Sequence, residues 1–221
     1  SAAYSRLHIQ PGSPCVDTGL DGSVGEGWKD MDGQARIQGS QVDIGADESD
    51  GTVWPEYEPV VVCVGPTGDD ANDGSTWALA KRTVQAGVNA ASAAGGEVWV
   101  AAGVYQEQIT LPAYVYLYGG FAGLEQARDE RDWSANVAVL DGRGNDGAVA
   151  YARGGYRVST VDGFTIRPGL LLGIYCSSSA APTISNNTIS GNSSYGIYCA
   201  SSASPIITNN TISGNGTGIY C

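Results

Sequence analysis

The chain has 221 residues, 23 of them acidic, 11 basic and one histidine, for a net charge of −12. That balance repels phosphate backbones and argues against nucleic-acid binding, and no stretch reaches the ~18 apolar residues of a membrane span. Glycine, at 32 residues, is about twice its usual share, which suits a chain of many tight turns.

Residues 1–48 are dense in Gly, Asp and Pro, from Pro11-Gly12-Ser13-Pro14 to Val42-Asp43-Ile44-Gly45. They read as a loop-rich segment with short strands. Residues 49–59, with Gly51, Pro55 and Pro59, read as a linker. Val60–Val64 opens a second unit as a buried strand, followed by a Gly/Asp/Asn turn cluster over 65–75. Trp77, Ala80, Val84, Val88 and Ala91 fall at helical spacing and predict one amphipathic helix over 77–92. Strands are expected at 97–101, 108–111, 114–118, 137–140, 148–152 and 161–166. No charged-then-apolar signal segment opens the chain, as expected of a mature form or a fragment.

The last third repeats. Gly173-Ile174-Tyr175-Cys176 returns as Gly196-Ile197-Tyr198-Cys199 and Gly218-Ile219-Tyr220-Cys221, at steps of 23 and 22. Ile184-Ser185-Asn186-Asn187-Thr188-Ile189 returns 23 residues later as Ile207-Thr208-Asn209-Asn210-Thr211-Ile212. Such a period signals stacked units rather than a globule. Strand alternation puts Ile and Cys on the inner face, Gly and Tyr on the outer. Short strands turned at Asn corners close into a three-faced coil, and stacking at ~4.8 Å brings like residues into columns. The predicted fold class is all-β, a parallel β-helix over 60–221 with an N-terminal capping helix and regular repeats over about 161–221. From Pro168 onward there is no Asp, Glu, Lys, Arg or His.

On these residues the repeat resembles the right-handed parallel β-helix of the pectin-lyase-like superfamily. Residues 68–77, with Val98-Trp99-Val100-Ala101-Ala102-Gly103-Val104-Tyr105 and Leu117-Tyr118-Gly119-Gly120-Phe121, are similar to the N-terminal cap of large secreted bacterial β-helix proteins. Residues 12–48 resemble the segment that closes such a helix at its C-terminal end. The resemblance implies a right-handed solenoid and an extracellular or cell-surface location. It leaves activity open, because the superfamily holds lyases, hydrolases, adhesins and inert stalks.

A closing segment placed first departs from the family's order. Either the chain is a slice of a longer tandem protein, or residues 1–48 of one copy cover the coil near Cys221 of another. Repeated head to tail, that contact does not close and builds a filament. Cys221, Tyr220, Ile219 and Cys15 are the self-association candidates.

The resemblance implies that catalytic groups would lie on outward faces of middle coils. The remaining charged candidates, on early coils, are Asp141, Arg143, Asp146, Arg153, Arg157, Asp162 and Arg167, scattered beside turns as solvent-facing charge usually is, so no catalytic residue is assigned. Asp69, Asp70, Asn72 and Asp73 offer oxygen ligands suited to Ca²⁺, with Asp30 and Asp32 a weaker second set. The alternative is an Asx-rich turn bonding its own backbone.

Tyr175, Tyr198 and Tyr220 are expected in an exposed row that suits mutual stacking, contact with another chain, or sugar rings. Cys176, Cys199 and Cys221 stack inward. Adjacent pairs such as Cys176 and Cys199 are within disulfide range, and a column of free thiols serves equally as apolar filler. Asn186, Asn192, Asn209 and Asn215 begin Asn-x-Ser/Thr triplets, which an Asn-cornered repeat generates by itself.

The expected function is a non-catalytic extracellular structural β-helix protein that assembles end to end. The alternative is a polysaccharide-binding or polysaccharide-degrading module, or an adhesin. The expected partners are a second copy of the chain or carbohydrate, and the one cofactor considered is Ca²⁺.

Overall fold

The computed structural model describes residues 13–17, 28, 29, 35, 41, 43, 60–93, 95–143, 150–153 (backbone only), 159–168 and 171–221. Two compact units divide the chain, Ser1–Glu58 and Pro59–Cys221. In the first, the Asp17 N–H donates to the Asp43 carboxylate at 2.5 Å and the Gln41 N–H to the Asp17 carboxylate at 3.0 Å. An antiparallel bridge pairs Lys29 with Ala35. Most of the proposed closing segment, including Asp30 and Asp32, lies outside the described residues.

In the second unit the order is β1 (Val60–Val64), α1 (Val84–Ser92), β2 (Gly96–Ala101), β3 (Gly103–Tyr105), β4 (Ile109–Leu111), β5 (Val115–Phe121) and β6 (Ala138–Asp141). It continues with β7 (Ala150–Arg153), β8 (Thr160–Asp162), β9 (Phe164–Arg167), β10 (Leu172–Ser177), β11 (Thr183–Ser185) and β12 (Thr188–Ser190). The last are β13 (Tyr195–Cys199), β14 (Ile206–Thr208), β15 (Thr211–Ser213) and β16 (Thr217–Tyr220).

Three parallel sheets hold these strands: β1-β2-β5-β8-β11-β14, β3-β6-β9-β12-β15 and β4-β7-β10-β13-β16. From β2 onward each coil contributes one strand to each sheet, which makes the unit a parallel β-solenoid. Columns of like residues line its interior. Val62, Val98, Leu117, Val161, Ile184 and Ile207 form one. Leu140, Ile166, Ile189 and Ile212 form a second, and Ile174, Ile197 and Ile219 a third. Ile166, Ile174, Ile184, Ile189 and Ile197 are buried, each removing about 1.5–3 kcal/mol worth of apolar surface from water.

The corners follow from asparagine chemistry. Asn186 and Asn209 adopt the left-handed conformation, φ 56° and 54°, which Asn tolerates better than most side chains. Their neighbours Asn187 and Asn210 turn inward and bond from coil to coil.

Two expectations about the strands change. Residues 161–166 are not one strand but β8 and β9, separated by Gly163 at φ 79°. A Cβ there would stand 2.8 Å from Arg131 Nη1. Gly173 and Gly196 are not on an open outer face: a Cβ on either would lie 2.5 or 2.7 Å from the carbonyl of the next coil's glycine. Close stacking, rather than exposure, demands glycine in the Gly-Ile-Tyr-Cys repeat.

The helix is also shorter than its spacing predicts. Trp77–Leu79 is a single 3₁₀ turn and α1 begins only after Thr83. Asp70 enforces the break, its carboxylate accepting from Arg82 N, Thr83 N and Thr83 Oγ at 2.9, 2.8 and 2.8 Å. Thr83 then caps the Ala86 N–H, and Glu107 accepts from Val84 N and Gln85 N at 2.8 and 2.9 Å. Val84, Val88 and Ala91 of α1 are buried against Val62, Val64 and Val98, so the helix covers the first coil. Residues 74–81 protect the outer edge of β1, with Cys63 N donating to Gly74 O and Lys81 N to Cys63 O. That pairing removes an exposed strand edge.

Candidate functional site

Charged residues concentrate on the outward face of the first sheet, near its N-terminal end. Register puts Cys63, Trp99, Tyr118, Asp162 and Ser185 in one outward column. Over it runs the segment between β5 and β6, carrying Arg128 and Arg131. Arg128 pairs with Glu97, and its guanidinium lies 4.9 Å from the Tyr118 ring centre. Arg131 pairs with Asp162 and lies 5.0 Å from the same Tyr118 ring centre and 4.9 Å from that of Trp133.

Asp162 is further bonded by Ser185 Oγ and by Asn186 Nδ2. The Arg131 and Asp162 side chains are only 9% and 8% exposed. Burial pushes the Tyr118 phenol above its ordinary range, the adjacent Arg128 opposing it. The chain of contacts Glu97–Arg128–Tyr118–Arg131–Asp162 ties the 122–137 segment to the sheet. Its carboxylates already hold two to three donors each, leaving little of either for a substrate.

Of the charged positions weighed from sequence, Asp162 alone joins this network. Asp141 is buried beneath Arg143, whose Nη2 lies 2.6 Å away, and that hydrogen-bonded pairing holds the Asp141 carboxyl below its ordinary value. Arg167 is Asp141's partner in register on β9. Asp146, Arg157 and the Arg153 side chain lie outside the described residues. Glu97, Tyr118, Arg128 and Arg131 were not singled out. The readable signal was alternation, which sends Glu97, Trp99, Tyr116 and Tyr118 to one face.

Beside the network lies a cavity of about 650 Å³ between Trp99, Cys63, Trp77 and Leu124. Phe121 stacks on Trp99 at 4.9 Å between ring centres. The Trp77 indole N–H donates to Glu125 O at 2.9 Å and pins the rim. The Cys63 thiol at its floor is pushed up to about 11 by burial.

The Ca²⁺ candidates are turned toward their own backbone. Asp69 accepts from Ala71 N at 3.0 Å and Asp73 from Ser75 N at 2.8 Å, while Asp70 anchors residues 82 and 83. Asn72 Nδ2 donates to Ala80 O. The Lys81 ammonium bonds Asp70 O and Asn72 O at 3.1 and 2.5 Å, so a resident cation already sits on the loop carbonyls. Among the described residues no three His, Cys, Asp or Glu side chains converge as metal ligands.

Tyr175, Tyr198 and Tyr220 stack nearly face to face, with centres 5.6 and 5.3 Å apart and planes within 19°. Tyr175 and Tyr198 are half-buried rather than openly exposed, since each ring covers the next. Cys176 and Cys199 are buried free thiols, Cys221 is an exposed one and Cys15, half-buried, lies in the first unit. Of the triplet asparagines, Asn192 is buried within a coil-to-coil bond to Asn215, whereas Asn209 is exposed.

The comparison with known families agrees with these ladders. Residues 133–221 match the family model of the right handed beta helix region. The β-helix continues N-terminal of that match, because β2 and β5 stack in register on β8. No curated protein and no solved structure matches the chain.

Proposed function

We propose that the β-helix is extracellular structural material, a rod whose outer surface is not catalytic. One observation carries this reading: the carboxylates on the described coils are consumed by structural bonds. Glu97, Asp141 and Asp162 each face a paired arginine, and from Pro168 to Cys221 there is no Asp, Glu, Lys, Arg or His. General acid–base catalysis needs such groups poised within reach of substrate. Lengthwise association belongs to the same proposal, with Ile206, Ile219 and Tyr220 on the exposed side of β14 and β16 as its surface.

The test is to incubate the purified chain with acidic polysaccharides and assay unsaturated or reducing ends, alongside light scattering over a concentration series. The expected result is no product and a mass that grows with concentration. Product formation lost in an Asp162→Asn variant that still folds would overturn the non-catalytic reading. A constant monomer mass would remove the association.

The cavity favours a second reading. The half-buried indole of Trp77 suits the apolar face of a sugar ring, so a carbohydrate-binding module remains the alternative. A glycan that titrates tryptophan fluorescence, and fails to do so with Trp77→Ala, would support it.

A further inference from the structure

Three cysteines occupy successive coils of the third sheet, and the contacts among them are unequal. Cys176 and Cys199 are register partners, with Cys176 completely enclosed. Cys221 lies one coil further on and is exposed, and its Sγ is 2.8 Å from Cys199 Sγ. We infer that Cys199 and Cys221 form a redox pair that closes into a disulfide between adjacent coils, while Cys176 stays reduced beneath them.

Accessibility selects the pair. Thiol–disulfide exchange requires a thiolate that can reach the oxidant, and of the three sulfurs Cys221 alone meets solvent. Burial raises the Cys176 and Cys199 thiols alike, so the first attack belongs to Cys221, and Cys199, whose Sγ lies 2.8 Å away, is the sulfur placed to resolve the mixed disulfide. Geometry also suits the closure, since neighbouring parallel strands lie ~4.8 Å apart and disulfide Cα separations run from about 4.4 to 6.8 Å.

With oxidised glutathione as the oxidant, the Cys221 thiolate attacks one sulfur of the glutathione disulfide and releases one glutathione thiolate. The Cys199 sulfur then attacks Sγ of Cys221 in the mixed disulfide, giving up its proton in the same step, and displaces the second glutathione. Two protons leave the protein thiols and two electrons pass to glutathione. The product staples the β14–β16 coil onto the β11–β13 coil.

The test uses the folded chain incubated with oxidised glutathione, alkylated under denaturing conditions and cut with chymotrypsin. No Lys or Arg follows Arg167, but cleavage after the ladder tyrosines separates all three cysteines. The expected product is a peptide beginning at Cys199 and carrying Cys221 in disulfide linkage, with Cys176 alkylated. A Cys176→Ser variant should form it equally, a Cys221→Ser variant should not, and closure should raise the unfolding midpoint by about 5 °C. Linkage of Cys176 to Cys199, linkage to Cys15 or Cys63, or three alkylated thiols after oxidation would each overturn the inference.

Discussion

Asn187 and Asn210, 23 residues apart, sit one above the other, and Asn187 Nδ2 donates to Asn210 Oδ1 at 3.0 Å. The same Asn187 amide accepts from Phe164 N and donates to Val161 O, both at 2.9 Å. A single side chain therefore binds three consecutive coils at one corner.

Replacing Asn187 with Ala should strand the Phe164 N–H and the Val161 carbonyl in the interior. Orphaning buried polar groups costs about 1–3 kcal/mol each, so a loss of about 2–4 kcal/mol is expected. Asn209→Ala, at an exposed left-handed position, should cost about 1–2 kcal/mol. Denaturant titration of both variants checks the order, and equal losses would contradict it.

Arg131→Ala should cost more than Arg143→Ala. Arg131 is 9% exposed and Arg143 68%. Although Asp141 is itself buried, it keeps the backbone N–H of residue 143 and the nearby Arg167 when the Arg143 side chain is removed. Removing one member of a buried pair is worth about 3–5 kcal/mol. The Arg131 loss should also resist added salt, as buried pairs are weakly screened.

Stability should depend on pH with two opposing limbs. Hydrogen bonds hold Asp70 and Asp141 below the ordinary carboxyl value. Their contribution is complete above the unfolded value near 4 and is lost as pH falls through the depressed folded values. Burial raises Glu107 above 4.5. The folded state then binds the proton more tightly, so stability rises slightly as pH falls from the raised value toward 4.5. Glu107→Gln should flatten that rise and leave the acid limb in place, which melting curves between pH 7 and about 3 would resolve.

Chelator or added Ca²⁺ should leave the melting temperature unchanged, because Lys81 occupies the carbonyls of the 69–73 loop. Lys81→Met should lower it. A Ca²⁺-dependent increase in the wild-type protein would show that the loop opens to take the ion.

Periodicity made the coils from β8 onward readable, since Val161, Ile184 and Ile207 recur at an unbroken step of 23. Earlier coils obey the same stacking without the same spacing. Val98 and Leu117 are 19 apart, whereas Leu117 and Val161 are 44 apart, the 122–137 segment lying between β5 and β6 of that coil. The candidate site was hidden for the same reason. Arg128 and Arg131 belong to that insertion, and no local pattern reveals that it folds back over Glu97 and Asp162. The helix was overextended because helical spacing carries no trace of Asp70, which stops it from outside.

Register is the claim on which the rest stands, and nuclear Overhauser contacts between backbone protons of the isotope-labelled chain test it most directly. The structure predicts contacts between residues 23 apart, such as Thr165 to Thr188 to Thr211 and Ile174 to Ile197. Contacts three and four residues apart across 160–213, or strand pairings within that range at an offset other than 23, would contradict it.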